Sequence, residues 1–424
     1  MNVVKLGMPL VLVAALAACS GNAADPGGKT TITFSYLWSG PEGAAIEKLI
    51  AGFNAGQNAI VVKGVSSPDT QKQLASMSSA NGTFDISDHF GNTVGSWAAK
   101  GILTPLDDLL KEQGVDTGVF APAAMEQMRH KGQTYALPIA VHTFQLLYNK
   151  KLLAEAGIEP PRTMDELAAA VPKLTKTDGK GAITQLGLGW SDLPTSLTTL
   201  GYAFGGTWDG ADPASPSPTP AEPGNLAALT FWQDNITKKY GADQVSTFKA
   251  GWGQYMSAQD PFYTGKLAMV IDGEWQAVSI PKNAPGLEWG VSPIPVARPD
   301  LAGATQLTAS TLFIPANSKH RKEAAAFMKY MVSETAARDL SLALGNLPAR
   351  TGLADDPAFA KIANFDAWLQ AMKSPKVRSL SSAPYAAEYT ADLAGAFDSV
   401  NRGTASPQEA MAKVAGRAAG YAKG

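Results

Sequence analysis

Cysteine is almost absent from this sequence: 424 residues contain one, Cys19. A single thiol excludes any internal disulfide and every structural zinc site built on several thiolates, and four scattered histidines leave little for a dedicated metal centre. An excess of basic charge is missing as well. Lys plus Arg number 35 against 37 Asp plus Glu, a net charge of −2, so nucleic acid is not an expected partner. No apolar run reaches the ~20 residues of a bilayer span. Catalytic signatures are also lacking. There is no HExxH and no GxSxG, and Gly187-Leu188-Gly189 continues into Trp190-Ser191-Asp192 without the third glycine of a dinucleotide fingerprint. Gly28-Lys29-Thr30 ends like a phosphate loop, but Ala23 stands where its first glycine would be and the segment precedes a strand. No cofactor, no metal and no catalytic residue is therefore expected. Hydrophobic residues make up 45% of the chain, enough for a folded protein of two or three domains. Nine tryptophans offer flat faces for stacking on sugars or bases.

The amino terminus carries the first positive signal. After Lys5, residues Leu6 to Ala18 are uncharged, too short to span a bilayer and suited to the apolar core of a secretory leader. The run ends Leu16-Ala17-Ala18-Cys19, so the only cysteine falls where a small-residue cleavage signal ends. This is similar to the bacterial lipobox, whose cysteine is acylated; several acyl chains on one residue anchor stably where one does not. Residues 1–18 are thus expected to be a lipoprotein signal peptide, Cys19 the lipidation site and residues 19–28 a flexible tether.

The body alternates strand-like and helix-like segments, which argues for α/β lobes. Thr31 to Leu37, Ala59 to Gly64, Phe84 to Ser87 and Tyr135 to Leu137 read as strands, with helices around Gln71 to Ser78, Val94 to Lys100 and Phe120 to Arg129. A second set has strands at Phe144 to Tyr148, Gln185 to Gly189, Leu267 to Ile271 and Leu287 to Val291, with a helix from Met164 to Leu174. Thr163 and Glu166 suit a capping box at the start of that helix. Ala324, Phe327, Met328 and Met331 form one apolar stripe, and Trp232, Trp289 and Trp368 look like core or helix-face residues. Asp212 to Pro223 holds five prolines in twelve residues and reads as a surface insertion. Trp275 emerges just past the strand at Leu267 to Ile271, the end of an open α/β sheet where ligands lie.

Three ordered motifs carry a family resemblance. Tyr135-Ala-Leu-Pro-Ile-Ala-Val-His142 leads through Leu147-Tyr148-Asn149-Lys150-Lys151-Leu152-Leu153 to Pro160-Pro161-Arg162-Thr163-Met164-Asp165-Glu166-Leu167. Gly265-Lys266-Leu267-Ala268-Met269, closing on Gly273-Glu274-Trp275, is similar to GKxAMxxxGxW, and Gly403 to Met411 to a closing helix. From about Thr31 to its end the chain resembles the extracytoplasmic solute-binding proteins of ABC importers, in the carbohydrate-binding family that includes the maltose-binding protein. The resemblance implies a bilobal α/β clamshell that closes on its ligand by hinge bending. The expected lobes are residues 29–140 plus 297–345 and residues 141–296 plus 346–424, with crossings near Ile139 to His142, Pro293 to Val296 and Asn346 to Arg350.

The same resemblance implies site residues. Trp275 matches the stacking tryptophan, and His142 falls where a relative has a ligand-contacting carboxylate. Asp88, His89 and Asn92 follow the Phe84 to Ser87 strand, and Trp38 sits in the first binding loop. Trp190 with Asp192, Trp208 with Asp209, Trp252 and Arg350 complete the candidates. The expected partners are a carbohydrate, the membrane subunits of an ABC permease and, through the anchor, the outer face of the cytoplasmic membrane or the periplasm; the protein is expected to be a monomer and not an enzyme. Glycerol phosphodiesters or polyols are an alternative ligand class, and a secreted carbohydrate-active enzyme the rival function.

Overall fold

The computed structural model of the protein describes residues 28–67, 69–210, 212 and 215–421. The leader and Cys19 lie outside the described residues.

Among the described residues ten strands form the main sheet. They are β1 (Thr30–Tyr36), β2 (Ile60–Ser66), β3 (Ile86–Phe90), β4 (Ala136–Asn149), β5 (Gly189–Trp190), β6 (Met269–Gly273), β7 (Trp289–Ser292), β8 (Thr305–Phe313), β9 (Leu347–Pro348) and β10 (Val377–Arg378). The order is β2-β1-β3-β8-β4-β6-β5, with β7 and β9 also on β4 and β10 on β8. β1 pairs parallel with β2 and β3, as βαβ crossovers require, and β8 runs antiparallel between β3 and β4.

β4 positions the site. The apolar segments Tyr135 to Leu137 and Phe144 to Tyr148, expected as two strands, fall, apart from Tyr135, in one strand of 14 residues, roughly 46 Å long at ~3.3 Å per residue. Its first part, Ala136 to Thr143, pairs with β8; its second, Phe144 to Tyr148, pairs with β6. On the other edge β9 gives way to β7. Both neighbours therefore change within Val141 to Leu146, β8 giving way to β6 between Thr143 and Phe144, and the two lobes share one strand there. Pro138, which cannot donate to a ladder, is accommodated by a register shift between Ser310 and Thr311, which pair with Ala140 and Pro138.

Helices cover both lobes. In the first lobe α1 (Gly40–Gly56) packs on β2, and Phe327 meets Phe34 and Phe53 edge-on at 5.5 and 5.1 Å. Ala324, Phe327, Met328 and Met331 are all fully buried, as their spacing predicts. In the second lobe α2 (Met164–Leu174) begins in a complete capping box, Thr163 Oγ1 accepting from the Glu166 N–H and Glu166 Oε2 accepting from the Thr163 N–H. The helix α3 (Leu193–Ala203) reaches across to β8, where Thr198 Oγ1 donates to Gln306 Oε1. Gly265, at φ +75°, turns the chain towards β6.

One further local expectation is corrected. The strand expected at Phe84 to Ser87 runs from Ile86 to Phe90, so Asp88 and His89 lie within it, paired with Leu312 and Thr311 of β8. Nothing local announces that distant partner. The proline-rich segment is tied down at the surface: the Ser217 and Thr219 N–H groups donate to the carbonyls of Asp209 and Trp208, and Tyr385 Oη donates to the Pro216 carbonyl.

Candidate functional site

A cavity of about 450 Å³ lies against β4 and draws on both lobes. Phe90, Asn92 and Gln127 come from the first lobe; Phe144, Asp192 and Thr195 from the second. Thr198, Gln306 and Thr308 form part of its wall, with Thr390, Leu393 and Phe397 from helix α6 (Ala386–Asn401), which follows α4 (Gln276–Asn283) and α5 (Asp366–Met372) along the chain. Phe90 is 55% exposed, which is unusual for so apolar a ring and leaves its face available for stacking.

Trp275 stands beside this cavity, its indole 5.9 Å from the Phe144 ring at 81° and 5.7 Å from His142 at 66°. Phe144 thus belongs both to the cavity wall and to the tryptophan's support. The indole orientation is set from below. Trp275 Nε1 donates to Tyr255 Oη at 2.6 Å, Tyr255 Oη donates to Asp272 Oδ1 at 2.8 Å, and the Gln276 amide donates to Asp272 Oδ2 at 2.7 Å. A Cβ at Gly273 would stand 2.3 Å from the Trp275 ring, so only glycine admits this packing. Burial pushes the Asp272 carboxyl up to about 7, against the opposing effect of its three donors. Burial, and then the charge of Asp272, raise the Tyr255 phenol well above its ordinary range.

His142 is buried and links the lobes: Nδ1 is 2.7 Å from Glu274 Oε1 in the second, and Nε2 is 3.0 Å from Ser310 Oγ on β8. The second oxygen of Glu274 is buried without a hydrogen-bond partner.

Of the residues nominated from sequence, Asn92 and Asp192 line the cavity, and Trp275 and His142 lie beside it. Asp192 also caps α3, accepting from the Thr195 N–H at 3.4 Å. Asn92 lies in a short turn at Gly91–Thr93 and caps nothing. Asp88 and His89 are buried beneath the site. Asp88 Oδ1 accepts from the Leu37 N–H at 2.8 Å, and burial pushes its carboxyl up to about 8. His89 packs edge-on against Trp97 at 4.7 Å, and burial pushes its pKa down to about 4, which keeps the ring neutral. Trp38 is half-buried, packs on the first lobe's core and does not line the cavity.

Five further nominations do not line this cavity and are engaged elsewhere. Trp208 is 0% exposed, its Nε1 donating to the Thr198 carbonyl. Trp190 is buried between Trp232 and Trp252 at 5.2 and 5.0 Å, beneath the Lys249 ammonium. Trp252 spends its ring on that cluster. Asp209, raised to about 6 by burial, accepts from the Ser381 N–H at 2.6 Å. Arg350 donates to the Val332 carbonyl at 3.1 Å and ties the third crossing. Trp208, Asp209 and Arg350 are held by local hydrogen bonds and Trp190 and Trp252 by the ring cluster, although Trp252 Nε1 is buried without a hydrogen-bond partner.

Sequence reading missed Phe90, Gln127, Phe144, Tyr255 and Thr390. Phe144 was within reach, since strand alternation puts residues 142 and 144 on one face. The others come together only in the fold. Among the described residues no group of His, Cys, Asp or Glu is arranged to hold a metal ion, and no helix is long and apolar enough to cross a membrane.

Residues 38–338 match the model of the bacterial extracellular solute-binding protein family. The chain belongs to that family. It is 26% identical over 272 residues to the maltotriose-binding protein of Pyrococcus abyssi, covering 62% of this chain and 54% of that protein. The chain spans about half the length of the first curated relatives it matches. Among solved structures, CpMnBP1 with mannotriose bound superposes with a TM-score of 0.79 at 27% identity, covering 92% of this chain and all of that one. UgpB from Mycobacterium tuberculosis in complex with glycerophosphocholine, at 22% identity and a TM-score of 0.74 over 93% of this chain and 99% of that one, shares the fold alone. The family fold is the bilobal α/β clamshell built around β4.

Proposed function

We propose that this family member is the lipid-anchored substrate-binding subunit of an ABC importer, capturing a neutral sugar or short oligosaccharide between its lobes and presenting it to the permease. One observation carries the ligand class. Among the described residues lining the interlobe cavity, Asp192 alone is ionisable, while amides and hydroxyls of Asn92, Gln127, Thr195, Thr198, Gln306, Thr308 and Thr390 alternate with Phe90, Phe144 and Phe397. Aromatic faces meet the C–H side of a pyranose and the neutral polar groups meet its hydroxyls. A glycerol phosphodiester would call for a cation there. His89 is held neutral and Arg350 faces the Val332 carbonyl, so the sugar is favoured. A glycosidase would need a pair of carboxyl groups across the sugar, whereas Asp192 is the one carboxylate lining the cavity.

The proposed lobes are residues 29–140 plus 297–345 and residues 141–296 plus 346–424, hinged where β4 exchanges its neighbours. Closure supplies the bias by which an importer distinguishes loaded from empty protein. Cys19 is the proposed acylation site, and β1 begins at Thr30, soon after the proposed tether.

The test is a melting-temperature scan of the purified protein against mono- and oligosaccharides, polyols and glycerol phosphodiesters. Ligand at ~100 times its dissociation constant adds ~2.7 kcal/mol. A shift with one sugar class, the sugar being recovered intact, supports the proposal. A shift with phosphodiesters alone, or a sugar recovered cleaved, overturns it.

A further inference from the structure

Trp275 is anchored twice. One anchor stays within its own lobe, the bond from Nε1 to Tyr255 Oη. The other crosses the hinge. Glu274, the residue between β6 and the tryptophan, is 0% exposed, and its Oε1 lies 2.7 Å from His142 Nδ1 on β4. The imidazole carries the link onward, its Nε2 lying 3.0 Å from Ser310 Oγ on β8. Ser310 in turn is the residue that pairs with Phe90 in the ladder between β8 and β3. Glu274, His142 and Ser310 thus connect Trp275 in the second lobe to the exposed ring of Phe90 in the first.

The bridge is the sole support of the Glu274 carboxylate. Among the described residues His142 is its one ion-pair partner, and its second oxygen has no hydrogen bond. A carboxylate taken out of water is costly to leave without its partner, so the bridge holds Glu274 in one place, and with it the backbone from which Trp275 departs. Both imidazole nitrogens are engaged, which leaves neither for a ligand. The indole packs edge-on against the same imidazole at 5.7 Å, so the bridge also touches the ring it holds.

We propose that His142 and Glu274 are positioning residues of the sugar site: the bridge they form across the hinge fixes Trp275 relative to Phe90, so that two aromatic faces from different lobes are spaced for one ligand before it arrives. Groups held ready in this way bind with less ordering cost. The proposal rests on the sugar-binding reading and adds to it the residues that set its geometry.

The test uses the purified protein labelled with fluorotryptophan, the Trp275 fluorine resonance being identified by its loss in Trp275→Phe. Without sugar, Glu274→Leu shifts that resonance, and Glu274→Gln, which keeps an oxygen for His142 Nδ1, restores it. With the mono- or oligosaccharide that raises the melting temperature most, Glu274→Leu weakens binding roughly tenfold, about the worth of one charge-assisted hydrogen bond, and Glu274→Gln recovers affinity to within about twofold of wild type. Ser310→Ala weakens binding as well, yet combined with Glu274→Leu it adds nothing, because both act through one imidazole; independent contributions to folding would instead add. Should Glu274→Leu fail to fold, Ser310→Ala, which removes a single hydroxyl, carries the comparison of resonance and affinity. A Trp275 resonance unmoved by either variant, wild-type affinity in both, or additive losses overturns the proposal. A wild-type protein that binds no sugar overturns the sugar reading itself, and the sugar-free resonance still decides the bridge.

Discussion

Trp275 and Tyr255 show how one side chain sets another. The indole is half-buried against Phe144 and His142, and its Nε1–H is held by a phenol that is itself held by a buried carboxyl. Trp275→Ala is expected to weaken sugar binding by more than ~1 kcal/mol, the low end for losing a packed aromatic anchor; calorimetry that finds wild-type affinity removes Trp275 from the ligand site. Asp88 supports a different expectation. Its carboxyl is raised from 3.8 to about 8, so between those values the folded protein keeps a proton that the unfolded chain has lost. Stability from this group is complete below about pH 4 and declines as pH rises through 8. Asp88→Asn keeps an acceptor for the Leu37 N–H, and its stability relative to wild type should rise steadily between pH 4 and pH 8. Melting curves from pH 4 to 8 whose difference stays flat contradict this. At this scale Trp275 was legible from its position past a strand. Tyr255 was not, because its partners Asp272 and Trp275 lie 17 and 20 residues away across a turn.

Among the elements, α2 was legible to the residue: Met164 to Leu174, entered through Thr163 and Glu166. Capping is local chemistry, within four residues, and needs no tertiary partner. Thr163→Ala should therefore cost ~1 kcal/mol in urea denaturation with the slope unchanged; an unshifted midpoint would mean that Glu166 alone satisfies the helix start. β4 is the opposite case. Pro138 and the polar pair His142-Thr143 interrupt its apolar pattern, which is why the sequence suggests two strands. The polar side chains are satisfied by β8, Glu274 and the Trp368 carbonyl, all remote in the chain, and the proline by a bulge in the facing ladder.

Over the whole molecule, two lobes share one strand and line one cavity between them. A ligand that touches Phe90 and Asn92 on one side and Phe144 and Asp192 on the other favours the arrangement in which those surfaces converge. Sugar at saturation should lower the radius of gyration in solution scattering. An unchanged radius, with binding shown separately, would place the ligand on one lobe. The family and its clamshell were legible because the motifs that carry them are contiguous stretches, at Tyr135 to His142 and Gly265 to Trp275. Membership in the site was legible only in part: a tryptophan at a strand end looks the same in sequence whether its ring meets a ligand or, like Trp190, two other tryptophans.

What this sequence determined by itself is what local chemistry decides: strand and helix periods, the α2 cap, the turn at Gly265, and the motifs that name the family. Only the tertiary structure decided which aromatics remain available and which are spent on the core, that His142 pairs with Glu274, and which side chains meet in the cavity against β4. The physical reason is range. Capping and periodicity act over a few residues, whereas burial and the pairing of buried polar groups depend on side chains brought together from opposite ends of the chain.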